Sequence, residues 1–267
     1  MSWLSTNIHT RWQNPNSDFY AVIHKSQFER VPFDTAVDDV IKSIAHEKIF
    51  VAFSGGYDSE FIIRRLHRQK VDFVPILIDL EGLEIERFFA YKALRELKIE
   101  AKVLKLSLSD FLKIYYKKIY KTINGTAWPS AQYLACEYAV NHNGLFVDGG
   151  HILGDGDDLV AQHNYYLPEW DFYCSTLFPQ AKICNFFLHN PAIAYASLDA
   201  VNDDLTWADY KERVFQIRYR PKIRPQFYFN QDVKRILDQL EVSRTCKPNQ
   251  KTYFGSRIEL MERIIDK

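Results

Sequence analysis

The chain has 267 residues, with 34 Lys+Arg against 34 Asp+Glu, 47% hydrophobic residues and 25% charged ones. These are ordinary globular values, so wholesale disorder is excluded, and zero net charge removes the broad basic footprint of a general nucleic-acid binder. At about 100–200 residues per domain the length suits one large domain or one domain with an appendage, and 16 Tyr, 19 Phe and 5 Trp promise a heavy core or aromatic-lined sites.

The amino-terminal residues show no basic head followed by an apolar stretch, and no apolar run approaches the ~18 residues of a membrane span. A cytoplasmic protein with no membrane partner is expected. Cys136, Cys174, Cys184 and Cys246 lie far apart with no Cys-x-x-Cys pair, the usage of reduced thiols rather than of a disulfide scaffold or structural zinc site.

In chain order, residues 1–46 read as an amino-terminal arm and helix. Residues 19–24 are strand-like, and over 35–47 Val37, Val40, Ile41 and Ile44 fall on one helical face. Residues 47–160 form the core unit. The run 48–53 is continuously apolar and β-rich, as a strand buried on both faces should be. Ser54-Gly55-Gly56-Tyr57-Asp58-Ser59 interrupts it, and helical spacing resumes over 60–69 through Phe61, Ile62 and Leu66. Further strands are predicted over 71–78, 101–106 and 145–148, and helices over 84–98, 109–121 and from Pro129 to a C-cap at Asn143-Gly144. This alternation suits βαβ units, hence a Rossmann-like parallel sheet with helices on both faces. Residues 161–267 are less regular, with helical signals near 207–217, 231–240 and 256–266, and read as a mostly helical C-terminal extension packed on the same compact unit.

Ligands of an open parallel sheet sit beyond the carboxyl ends of its strands, where residues 54–59 are expected. Gly55 and Gly56 permit a tight turn and close backbone approach, Ser54 and Ser59 offer hydroxyls, and the next helix presents its positive end, so the loop makes a phosphate cradle. It lacks the lysine of a Walker A loop and is not Gly-x-Gly-x-x-Gly. Asp58 would repel phosphate unless a cation, most simply Mg2+, bridged them. Asp79 and Glu81 fall at the end of the second strand, where they could touch ribose, adenine or a substrate amine, or simply cap the loop before the next helix.

The hexapeptide resembles the Ser-Gly-Gly-x-Asp-Ser signature of the PP-loop ATP pyrophosphatases, the adenine nucleotide α-hydrolase-like superfamily. That resemblance implies a PP-loop (HUP-type) fold, ATP and Mg2+ as cofactors, and cleavage of ATP between its α- and β-phosphates with adenylylation of a substrate. Gly154-Asp155-Gly156-Asp157-Asp158-Leu159 resembles the Gly-Glu-Gly-x-Asp-Glu-Leu loop of the asparagine synthetase C-terminal synthetase domain. The match implies Asp58, Asp158 and Asp155 as magnesium ligands, with Asp155 and Asp157 turned to the substrate; Leu159 stands where the family has a second acid. Arg224-Pro225-Gln226-Phe227 looks like that domain's Arg-x-Pro-Phe segment with the proline displaced by one. Gln250-Lys251-Thr252-Tyr253-Phe254 looks like its Gln-Lys-x-x-Phe segment, which makes Lys251 the cation beside the α-phosphate, with Lys247 as second choice.

The implied nucleotide-binding set is Ser54, Gly55, Gly56, Asp58, Ser59, Asp79 and Lys251, with Lys251 and Asp58 catalytic. Only 47 residues precede the first strand and residue 2 is Ser, so no in-chain glutaminase is expected, and an amine substrate, ammonia or a separate nitrogen donor must supply the nucleophile. Two alternatives stay open: a PP-loop enzyme that modifies a nucleobase or tRNA, and a nucleotide-binding module without turnover. The tRNA reading draws on the basic stretch Lys211, Arg213, Arg218, Arg220, Lys222 and Arg224, interleaved with Phe215, Tyr219, Phe227 and Tyr228.

Overall fold

The computed structural model describes residues 4–6, 21–23, 30–81, 84–107, 110–111, 114, 117–118, 129–149, 174–199 and 212–217. A short antiparallel pair, β1 (Leu4–Thr6) and β2 (Ala21–Ile23), precedes α1 (Phe33–Ile44). Then come β3 (Ile49–Ala52), α2 (Tyr57–Arg68), β4 (Phe73–Leu80), α3 (Glu84–Leu97) and β5 (Lys102–Leu106). The chain continues through α4 (Pro129–Asn141), β6 (Leu145–Asp148), β7 (Lys182–Asn185), a 3-10 turn (Phe186–Leu188) and α5 (Pro191–Asp199). Strands β3 to β7 form one all-parallel sheet in the order β5-β4-β3-β6-β7, flanked by helices in a Rossmann-like α/β arrangement.

Side-chain alternation along the strands divides the core in two. Ile49 and Val51 of β3, Leu77 of β4, and Leu145 and Val147 of β6 face α1, α2, α3 and α5. Phe50, Ile76 and Phe146 face Ala135, Cys136 and Ala139 of α4, together with Cys174. Burial on both faces explains why β3 and β6 read as unbroken apolar runs. The aromatic excess serves this core. Phe61 of α2 stacks on Phe215 at 4.4 Å between ring centroids, and Phe33 and Phe187 close around the pair at 5.7 and 6.0 Å from Phe61. Phe215 is 5% exposed. It is therefore a core residue and not a base-stacking platform, which corrects its place in the RNA-binding reading; of the cations in that stretch, Arg213 is exposed and the others lie outside the described residues.

Several details differ from expectation. Helix α2 begins at Tyr57 rather than 60, so Asp58 and Ser59 sit in its first turn. Strand β4 runs to Leu80, which puts Asp79 inside the strand rather than after it. Residues 182–185 form a fifth strand within the segment expected to be mostly helical; Lys-Ile-Cys-Asn is too short to announce itself, and its pairing with β6 and the burial of Cys184 define it. In the stretch expected to be a helix over 109–121, the described residues 110, 111, 114, 117 and 118 are helical. The helical signals at 231–240 and 256–266 lie outside the described residues.

Helices α2, α3 and α4 end in the same way. Val71, Ile99 and Gly144 donate their N–H groups to Leu66, Leu94 and Ala139, while Lys70, Lys98 and Asn143 adopt φ of 57°, 55° and 52°. These are Schellman motifs, each delivering the chain into the next strand region. The left-handed residue of the last one is Asn143, not the glycine; Gly144 is required because a Cβ there would meet the Phe50 ring and stand 2.7 Å from the Lys48 carbonyl oxygen. A lysine in the left-handed region bears a steric cost that glycine avoids, about 1 kcal/mol. Lys70→Gly and Lys98→Gly should each therefore raise unfolding stability by up to about 1 kcal/mol, read as an increased urea midpoint at constant slope; a lowered midpoint would show that the lysine stems contribute packing worth more than the strain.

No helix among the described residues is long and apolar enough to cross a membrane. Cys136, Cys174 and Cys184 are buried free thiols, and Cys246 lies outside the described residues.

Candidate functional site

Strand β3 is flanked by β4 on one side and β6 on the other, and the connections leaving the sheet diverge there. Such a switch point opens a crevice at the carboxyl ends of the strands. The 54–59 loop follows β3 directly into this crevice. Gly149, immediately after β6, closes the other side: a Cβ there would stand 2.9 Å from Ile62 Cδ1 and 3.5 Å from Ser59 N.

Local bonding fixes the loop's shape. Ser59 Oγ lies 3.3 Å from both the Ser54 amide, which donates to it, and Ser54 Oγ, and it is 3.2 Å from the Gly56 carbonyl. The Gly56 amide donates to Ser54 Oγ at 3.2 Å. The two serines thus tie the entry of the loop to its exit. Gly55 has φ of 79°, and a Cβ there would stand 2.7 Å from the Ala90 nitrogen of α3. Both its backbone conformation and the closeness of α3 exclude a side chain. Glu60 N donates to Gly56 O at 3.0 Å as the first turn of α2 closes, and the amides of that turn point out past the loop.

Two hydroxyls, first-turn amides and a helix dipole suit a phosphate group. Asp58 adds a carboxylate to the same turn. It is stabilised by the helix's positive end, but it opposes an anion unless a cation lies between them. The donor set suits a phosphate, and Asp58 is the carboxylate of this turn that could hold a bridging cation such as magnesium. Among the described residues no group of three or more His, Cys, Asp or Glu is placed to hold a metal ion. Asp155, Asp157 and Asp158, expected to complete the metal and substrate set, lie outside the described residues, as do Leu159, Arg224, Lys247 and Lys251.

Asp79 reaches the carboxyl edge on β4 and forms an ion pair with Arg87 of α3, a partner that the linear sequence does not announce. Glu81, just beyond the strand, is exposed, and its amide bonds to the Leu106 carbonyl at 3.0 Å. At the end of β6 the buried Asp148 accepts hydrogen bonds from Gln132 of α4 and from the Gly149 amide, the latter at 2.7 Å. This carboxylate is a structural clamp between α4 and the crevice floor. Reasoning from the sequence missed Arg87, Gln132 and Gly149 as members of this edge; the Gly149-Gly150 pair after a buried strand was the one available signal.

The last strand carries a separate contact chain. His189 Nδ1 lies 3.3 Å from Cys184 Sγ, and its Nε2 lies 2.9 Å from Ser43 Oγ. Burial pushes the Cys184 thiol up to about 12, with the Asp148 charge adding to the rise, so Cys184 is an inert core thiol rather than a nucleophile. The His189 residue is exposed overall, but its Nδ1 side packs against Cys184, and burial holds the imidazole below its usual value. The folded state therefore prefers neutral His189. That contribution to stability is present above the unfolded imidazole value of about 6.5 and is lost as pH falls through the lower folded value. Wild type should lose more thermal stability than His189→Asn between pH 7 and pH 5; parallel curves for the two proteins would remove His189 as the cause.

No protein-family model and no curated protein matches the chain.

Proposed function

We propose that this protein is a PP-loop, HUP-type ATP pyrophosphatase that adenylylates a carboxylate and then passes the acyl group to an amine or ammonia, in the manner of an asparagine synthetase-like synthetase domain. One observation carries the reading. The Ser-Gly-Gly-Tyr-Asp-Ser hexapeptide lies at the switch point of a parallel sheet, with Gly55 in the left-handed conformation against α3 and Ser54 joined to Ser59. The motif thus lies where an open parallel sheet receives its ligands, which supports the reading.

In this reading the first-turn amides and the Ser54 and Ser59 hydroxyls hold the polyphosphate. Magnesium, when bound, supplies charge neutralisation between Asp58 and the phosphates. By the resemblance, Lys251 would supply the cation for the α-phosphate, and Asp155, Asp157 and Asp158 the carboxylates for metal and acceptor; all four lie outside the described residues. A carboxylate oxygen attacks the α-phosphorus, and the bond from that phosphorus to the α,β-bridging oxygen breaks. Pyrophosphate leaves with the bond's electron pair. The amine then attacks the acyl carbon, loses a proton, and AMP departs. The excess of acids over 148–171, six with no Lys or Arg, against the basic 211–224 stretch suits a site with a metal wall and a phosphate wall.

The test is ATP–pyrophosphate exchange by the full chain with magnesium, screened across amino acids and other carboxylates, with AMP measured directly. Exchange and AMP formation with a carboxylate support the reading. AMP only with tRNA or a nucleobase would move the protein to the base-modifying branch, and ATP binding without AMP from any pool would make it a silent nucleotide-binding module.

A further inference from the structure

Arg87 stands one turn ahead of Ala90 on α3, and it is Ala90 whose backbone presses on Gly55. Residues three apart share a helix face, and α3 starts at the carboxyl edge of the sheet, so Arg87 lies on the helix face that meets the glycine loop, one turn nearer that edge. Its guanidinium pairs there with Asp79, the side chains being 23% and 13% exposed. A partly buried ion pair of this kind contributes little net stability, because desolvation offsets the attraction.

The neighbouring strand adds a second observation. Lys105 of β5 is the register partner of Asp79, and partners on parallel strands project to the same face. Leu77 and Val103, two residues earlier on each strand, both belong to the core beneath α3. Asp79 thus has a second cation on its own side of the sheet, which can balance its charge while Arg87 is shared with another anion. A guanidinium carries five donors in one plane and can serve two anions at once, and a polyphosphate competes for it better than a single carboxylate.

We propose that Arg87 is an anion-binding residue of the nucleotide site, contacting the polyphosphate of a nucleoside triphosphate or free pyrophosphate, with Asp79 as the positioning residue that holds the guanidinium above the 54–59 loop. The inference rests on the reading of that loop as a nucleotide cradle and adds a cation to it from α3.

Calorimetric titration of the full chain tests this, comparing wild type with Arg87→Gln, Arg87→Lys and Asp79→Asn for magnesium-ATP, inorganic pyrophosphate and adenosine. A charge-assisted contact corresponds to a loss of about 10- to 100-fold, so Arg87→Gln should weaken ATP and pyrophosphate by that factor and leave adenosine within about twofold. Arg87→Lys should recover part of the loss, and Asp79→Asn should shift pyrophosphate affinity by more than about threefold. Equal losses for adenosine and pyrophosphate, or unchanged pyrophosphate binding in Arg87→Gln, would overturn the assignment. If Arg87→Gln does not fold, Arg87→Lys and Asp79→Asn decide, and pyrophosphate affinity unchanged in both counts against it. Arg87-dependent pyrophosphate binding by a wild type that ignores ATP would keep the anion contact and sink the nucleotide reading; a wild type that binds neither sinks both.

Discussion

Gly55→Ala should destabilise the fold by about 2–5 kcal/mol, while Gly56→Ala, one residue on, should cost under about 1 kcal/mol. The two glycines look equivalent in the sequence and are not. Gly55 has φ of 79°, where an alanine bears roughly 1–2 kcal/mol of steric cost. Its Cβ would also stand 2.7 Å from the Ala90 nitrogen and 3.0 Å from the Ala90 Cα, and neither atom can rotate away. Either α3 or the loop must move, at a further ~1–3 kcal/mol. Gly56 has φ of −73°, and a Cβ there would meet only the Ser54 hydroxyl at 3.1 Å, the end of a small side chain. For a chain of this size the Gly55 substitution corresponds to a fall in melting temperature of about 5–15 °C. Thermal and urea unfolding of the two variants side by side decides the matter. Equal melting temperatures would mean that the loop does not pack on α3 as described.

That asymmetry also marks the limit of what the sequence discloses. The sheet was legible because β3 and β6 are buried on both faces, so their residues are apolar without interruption. Helix α1 was legible because its apolar residues recur at helical spacing. The start of α2 was not, because Tyr57, Asp58 and Ser59 carry no apolar period and the turn is set by backbone geometry at Gly56. Strand β7 was hidden for a similar reason, being four residues long with its identity fixed by β6 alongside. Within the site, the 54–59 loop could be read because close backbone approach demands glycine, and glycine is visible in a sequence. The Asp79–Arg87 pair could not: eight residues separate the partners, and only the packing of a helix against a strand brings them together. Through-space contacts between ordinary charged residues leave no linear signature. The same limit explains why Phe215 reads as an interleaved aromatic in a basic stretch until Phe61 is seen against it.

If the chain forms AMP as proposed, Asp58→Ala should lower that magnesium-dependent activity by roughly 10²–10³-fold or more. The carboxylate lies in the first turn of α2, where it gains about 0.3–1 kcal/mol from the helix's positive end. Its effect on nucleotide binding should change sign with the metal. Without magnesium, a carboxylate beside the phosphate cradle repels the polyphosphate, and at an effective dielectric constant of ~20 two unit charges ~5 Å apart interact by about 3 kcal/mol before salt screening reduces it. Removing Asp58 should therefore strengthen metal-free ATP binding. In the proposed reading the same carboxylate would help hold magnesium when the ion is present, and removing it should then weaken binding. A merely structural Asp58 would move both affinities in the same direction or neither. Equilibrium ATP titrations of wild type, Asp58→Ala and Asp58→Asn, each with magnesium and with chelator, read this directly, and Asp58→Asn separates charge from shape because it preserves the side-chain volume. Opposite shifts in the two conditions, reproduced by the asparagine variant, are the result expected of a metal-bridging carboxylate. Shifts of the same sign would remove Asp58 from the metal shell and leave it as a helix-terminal charge.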